Sequence, residues 1–115
     1  MNLIGSYTVD MMEVDSDLIQ RAGMVLVDSK EACQIEAGEL IMSGIGPQDM
    51  IEIGEIVDHT GGGIQEQINR IKRSGDISIF KSVGVGLQDV AIAYAIVERA
   101  LARGIGIQIE KYDHY

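Results

Sequence analysis

The segment Ile77 to Asp89, Ile-Ser-Ile-Phe-Lys-Ser-Val-Gly-Val-Gly-Leu-Gln-Asp, constrains this chain more than any other stretch. It reads as a buried strand, a tight glycine turn and the opening of a long helix. A parallel α/β sheet presents its ligand-binding edge in this way. No second copy of that succession stands where a complete doubly wound domain would need one. The expectation is part of a binding domain rather than a whole one.

The rest of the chain fits the same plan. Asn2 to Tyr7 reads as a strand, and Asp15-Ser16 as the N-cap of a short amphipathic helix through Leu18, Ile19 and Ala22, ended by Gly23. Met24 to Val27 is a continuous apolar run, as in a parallel strand buried on both faces. Asp28 with Glu31 reads as a capping box for a helix from Ser29 to Met42. Gly44-Ile45-Gly46-Pro47 breaks the chain before a helix expected over Gln48 to Val57. Thr60-Gly61-Gly62-Gly63 is read as a flexible loop, and Ile64, Ile68 and Ile71 mark one face of a further helix. The helix expected from Leu87 to about Ala102 is apolar nearly all round its middle, so it needs cover on more than one side. Ile105, Ile107 and Ile109 alternate as a short terminal strand.

This order predicts an α/β chain. Its core is a partial Rossmann-like parallel sheet of three strands with crossover helices, a long C-terminal helix and a short terminal strand. Residues 1–103 would form the C-terminal half of a nucleotide-binding domain and residues 104–115 a terminal strand and tail. The 77–83 strand should be central, with Val85 and Ala91 buried. An unpaired sheet edge and an apolar last helix predict a homo-oligomer, a dimer or larger.

Composition narrows the function classes. Of 115 residues 46% are hydrophobic but only 4% aromatic, so the core must be aliphatic. A net charge of −9 opposes a nucleic-acid partner. Arg70, Lys72 and Arg73, the one basic concentration, read as a solvated helix end. Cys33 is alone, which rules out an intrachain disulfide, suits a reducing cytoplasm and reads as a core residue. No signal peptide is visible, and the apolar run Val90 to Val97 is too short to span a membrane. His59 and His114 show no metal-ligand spacing.

In open parallel sheets ligands bind beyond the carboxyl ends of the strands. Those ends are Gly5-Ser6-Tyr7, Asp28-Ser29 and Ser82-Val83-Gly84, all small or polar. Ordinary turn chemistry explains such residues equally well: glycine for a special backbone angle, Asp and Ser as caps. Gly84-x-Gly86-x-x-Asp89 lacks the third glycine of a dinucleotide fingerprint and the acidic residue beyond it. Asp10 and Glu13, just past the first strand, offer carboxylates for acid or base work at the edge, or simply a solvated loop.

Four blocks in order resemble the ornithine cyclodeaminase/mu-crystallin family. They are Gly5-Ser6-Tyr7-Thr8-Val9-Asp10-Met11-Met12-Glu13-Val14, Val27-Asp28-Ser29 with Glu36-Ala37-Gly38-Glu39, Ile53-Gly54-Glu55-Ile56, and Phe80 to Asp89. The resemblance runs to about Gly106 and covers the C-terminal third of that family. It implies an NAD- or NADP-dependent enzyme acting on a small amino or imino acid. Members cyclise ornithine to proline and ammonia, reduce cyclic imines or ketimines, or act as alanine dehydrogenases. Carried over, Gly5, Ser6 and Tyr7 would line the nicotinamide side, with Ser82 and Val83 at the same end. The family's catalytic aspartate belongs to the segment Tyr7 to Glu13; in some members it falls two residues after the glycine, at the position of Tyr7, and Asp10 is the aspartate of that segment here. Val9 replaces the usual proline and Met12 a frequent arginine. The family's substrate domain and pyrophosphate loop lie upstream of the resembling region. The expectation is therefore a fragment inactive alone, completed by an upstream partner chain, or a non-catalytic oligomerising module derived from the fold.

Overall fold

The protein is described by a computed structural model covering residues 1–57 and 63–109. It divides into two compact units, Met1–Gly84 and Val85–Tyr115. In the first unit a parallel sheet forms from β1 (Asn2–Leu3), β2 (Val25–Val27), β3 (Met50–Glu52) and β4 (Ile79–Lys81). Its spatial order is β1-β4-β2-β3. Val25 pairs with both Met50 and Ile79, and Asn2 pairs with Phe80. The strand read from the 77–83 segment is thus an interior one, flanked by β1 and β2.

Side-chain alternation along the strands feeds two cores. Val25, Val27, Met50 and Ile79 join Ile19, Ala22, Cys33, Ala37 and Leu40. Those partners come from α1 (Ser16–Ala22), α2 (Lys30–Glu36), the Ala37 junction and α3 (Gly38–Met42). Ile51 packs with Met24 and Ile71, with Leu26 and Ile56 against them. These side chains bring in α4 (Ile53–Val57) and α5 (Ile64–Ser74). Helices therefore contribute to two separate apolar layers, as in doubly wound sheets.

Several expectations need correction. The sheet has four strands rather than three. The helix expected over Gln48–Val57 is a 3₁₀ turn at Pro47–Asp49, then β3, then the short α4. Parallel pairing of Met50 and Ile51 with β2 outweighs local helical preference. The helix expected from Ser29 to Met42 is two helices, because Ala37 adopts ψ 88 and breaks the ladder. Its cap is Ser29, which accepts from Ala32 N at 3.2 Å, and not Asp28.

Gly38 opens α3 where no side chain fits: a Cβ there would stand 2.3 Å from Met11 O and 2.7 Å from Val9 O. The loop after β1 thus lies directly on the start of α3.

In the second unit α6 (Gly86–Arg103) ends at Gly104, whose φ of 63 suits the left-handed cap. None of its residues is buried; Ala91 is exposed and Val85 only half-buried, against expectation. A helix apolar nearly all round its middle cannot bury itself within its own unit. Ile105 to Ile109 form no strand, since positive φ at Gly104 and Gly106 interrupts the extended run. Thr60, Gly61 and Gly62 of the expected loop, His59 and the tail with His114 lie outside the described residues.

Candidate functional site

The carboxyl ends of β1, β4 and β2 are neighbours in the sheet, so the turns after them stand side by side. The structure pins two of these turns from beneath with buried or half-buried charges.

The first pin is Lys81, the last residue of β4. It occupies an inward register position with Ile79 and is fully buried. Its ammonium donates to Ser6 Oγ at 2.6 Å, to Ser6 O at 2.8 Å and to Glu13 Oε2 at 3.1 Å. Glu39 Oε1 lies 3.0 Å away, an ion pair outside hydrogen-bond geometry. Glu39 comes from α3 and is also fully buried; its other oxygen accepts a very short hydrogen bond from the Ser6 hydroxyl. Glu13 folds back so that its carboxylate accepts from Ile4 N at 3.2 Å and Ser6 N at 3.3 Å. Partial burial pushes the Glu13 carboxyl up, but the turn's backbone N–H groups and Lys81 outweigh it and hold the group below its usual range.

The second pin is Asp28, just past β2. Its Oδ2 accepts from the Ser82 hydroxyl at 2.6 Å, Gly84 N at 3.0 Å and Val83 N at 3.1 Å, and its Oδ1 accepts from Ser29 N at 2.9 Å. Burial opposes the charge, yet these donors keep the carboxyl below its normal value. Cys33, fully buried, reaches Oδ1 at 3.6 Å. Burial first, and the neighbouring Asp28 charge second, push its thiol up to about 12. Such a thiol is protonated and unreactive.

The residues singled out from sequence separate into two groups. Ser6, Ser82 and Val83 are pinned, and the Ser6 side chain faces inward rather than outward. Gly5 and Tyr7 are exposed at the β1 end, and a Cβ on Gly5 would meet Glu13 Oε1 at 3.0 Å. Gly84, at φ 90, and Gly86 have open space around them. Asp10 is exposed and accepts from Thr8 Oγ1 at 2.7 Å, a bond that lowers its pKa. No polar contact joins it to Ser6, Ser82 or Val83 among the described residues. Sequence reading missed the roles of Lys81 and Glu39. The signal for Lys81 was present: Ile77, Ile79, Lys81 and Val83 alternate, so the lysine falls in the core-facing register. Glu39 carries no comparable mark.

Among the described residues no His, Cys, Asp or Glu group is arranged to hold a metal ion. No described helix is long and apolar enough to cross a membrane.

The model of the ornithine cyclodeaminase/mu-crystallin family matches residues 1–104. The chain belongs to this family. It is 36% identical over 115 residues to a Delta(1)-pyrroline-2-carboxylate reductase from Bacillus cereus, covering 96% of this chain and 33% of that protein. It is 31% identical over 111 residues to an iminosuccinate reductase from Paracoccus denitrificans, covering 93% of this chain and 32% of that one. The crystal structure of a probable ornithine cyclodeaminase from Bordetella pertussis Tohama I superposes with a TM-score of 0.67 at 31% identity, over 93% of this chain and 33% of that one. The chain thus spans about a third of the length of these relatives.

Proposed function

We propose that this chain forms the nicotinamide-facing edge of an NAD- or NADP-dependent enzyme that reduces a small cyclic imine or imino acid, or cyclises ornithine. Imino-acid reductases among the relatives favour the reductive reading. The observation that carries it is the row of adjacent strand ends at β1, β4 and β2, pinned from beneath by Lys81 and Asp28. Gly5, Tyr7 and Gly84 are exposed on its outer side, where a flat ring would lie.

The nicotinamide, when bound, supplies or accepts the hydride. The chain's own residues hold the edge rigid and exclude water from one side of the ring. Asp10, kept ionised by Thr8, suits a base or an electrostatic partner for a protonated imine nitrogen more than an acid. Reduction of the imine places hydride on carbon and a proton on nitrogen, so such a carboxylate favours the charged substrate. Substrate and pyrophosphate contacts would come from the part of the enzyme that precedes this third, on the same or a partner chain, and residues 1–115 by themselves would be inactive.

Titration of NADH and NADPH into the purified chain by calorimetry tests this reading. Micromolar binding supports it and calls for turnover assays with pyrroline-2-carboxylate and ornithine. Heat absent up to millimolar nucleotide counts against a cofactor edge that works alone.

A second reading, a non-catalytic module that self-associates, is favoured by α6. Leu87, Val90, Tyr94, Ile96, Val97 and Leu101 are all more than half exposed. A second copy suits its charges, since Asp89 and Arg103 are equidistant from Ile96 on one helical face. Antiparallel pairing about Ile96 would set each Asp89 against the other copy's Arg103. Sedimentation would show a dimer that Asp89→Arg weakens; a monomer at all concentrations rejects this module.

A further inference from the structure

Lys81 is the fully buried cation of the described residues, and what surrounds it is not merely a neutralising partner. An ion pair inside a core adds little stability over apolar side chains of similar volume. Neutralisation would need only Glu39. Here the ammonium also takes the backbone oxygen and hydroxyl of Ser6, and it anchors Glu13, whose carboxylate accepts from the Ile4 and Ser6 amides. Four chain segments meet at one nitrogen: the turn after β1, the loop carrying Glu13, the start of α3 and the end of β4. The very next residue, Tyr7, is 62% exposed. Gly38 brings the α3 start against the same loop through its missing side chain.

We infer that Lys81 is a positioning residue. With Glu39 and Glu13 it fixes the Gly5-Ser6-Tyr7 turn from the inside, and so sets the surface that Gly5 and Tyr7 offer to a nicotinamide ring. The consequence for ligand rests on the cofactor reading above; the fixing of the turn does not. Asp28 performs the parallel task for Ser82-Val83-Gly84, so each of two neighbouring turns is held by a charge of opposite sign.

The test separates positioning from stability. In Lys81→Met/Glu39→Met both charges go together, and an apolar pair of similar length keeps the chain folded. Amide hydrogen exchange then reads the turn and the core apart. The expected result is β2 amides protected as in the parent, with the Ile4 and Ser6 amides exchanging about tenfold faster or more. Parent-like protection at Ile4 and Ser6 in a chain with protected β2 amides would overturn the inference. Should the double variant fail to fold, Glu13→Gln decides, since its side chain is partly exposed. Faster exchange at the same two amides supports the anchoring, and no change refutes it. NADH titration adds the separate arm. A parent that binds and a folded double variant that binds at least about tenfold more weakly extend the positioning to the ligand. Equal affinity removes that extension. A parent that does not bind removes the extension to the ligand and leaves the exchange result to judge the turn.

Discussion

Residues 1–84 and the helix that follows them handle apolar surface in opposite ways. The first unit closes over Ile19, Val25, Val27, Leu40 and Ile79, and takes even Lys81 and Glu39 inside. In the second unit α6 buries nothing, and Ile107 beyond it is 94% exposed. The first unit holds itself together by its own packing. The second is held by its helical ladder and its Gly104 cap, without the tertiary packing that supplies most helical stability in proteins. Strand-end turns in the first are fixed by hydrogen bonds to buried and half-buried charges, whereas α6 presents apolar side chains that its own unit does not bury.

The largest effect should come from Lys81→Met alone. It strands the buried Glu39 carboxylate and should cost about 3–5 kcal/mol of unfolding free energy in urea, more than the double replacement with Glu39→Met. If the single change is the milder one, the cluster is not charge-coupled. Next, Leu40→Ala in the first unit should cost about 2–5 kcal/mol, while Ile96→Ala in α6 should shift the same midpoint by no more than about 0.5 kcal/mol. Equal losses would erase the contrast between the units.

Asp28→Asn should cost roughly 1–3 kcal/mol by weakening the acceptor of three N–H and hydroxyl donors beneath the Ser82–Gly84 turn. The pH dependence carries a definite sign. The folded Asp28 pKa is below its unfolded value, so its contribution is present above about pH 3.9 and disappears as pH falls through the lower folded value. Acid titration of the Asn variant should lack that part of the loss. Smallest of all, Asp76→Asn breaks an exposed pair with Arg21 at 2.7 Å and should leave the melting midpoint unchanged at moderate salt.

Much of this arrangement was legible from sequence because it depends on local pattern. The apolar run Met24–Val27 and the strand before the Gly84 turn emerged where propensity and burial agree, and the glycine-terminated long helix where propensity and its cap suffice. What stayed hidden depends on distant partners. Met50–Glu52 becomes a strand only because β2 lies beside it, and nothing within Gln48–Val57 says so. Asp28 looked like a helix cap because Glu31 follows it, whereas its partners stand more than fifty residues later at Ser82–Gly84. Glu39 fell inside the single helix expected from Ser29 to Met42; its meeting with Ser6 depends on the loop lying over Gly38. Tyr7 and Asp10 were visible as residues of the edge, and the structure leaves both exposed there.

Cys33 gives the first unit a built-in gauge. Its sulfur is sealed behind α2 and the sheet, and its ionisation is displaced to about 12, so a thiol reagent at neutral pH finds no thiolate to attack in the closed protein. Labelling must wait for the core to open. The labelling rate, compared with that of a free thiol, then counts how often this fold comes apart, without a denaturant and without any ligand.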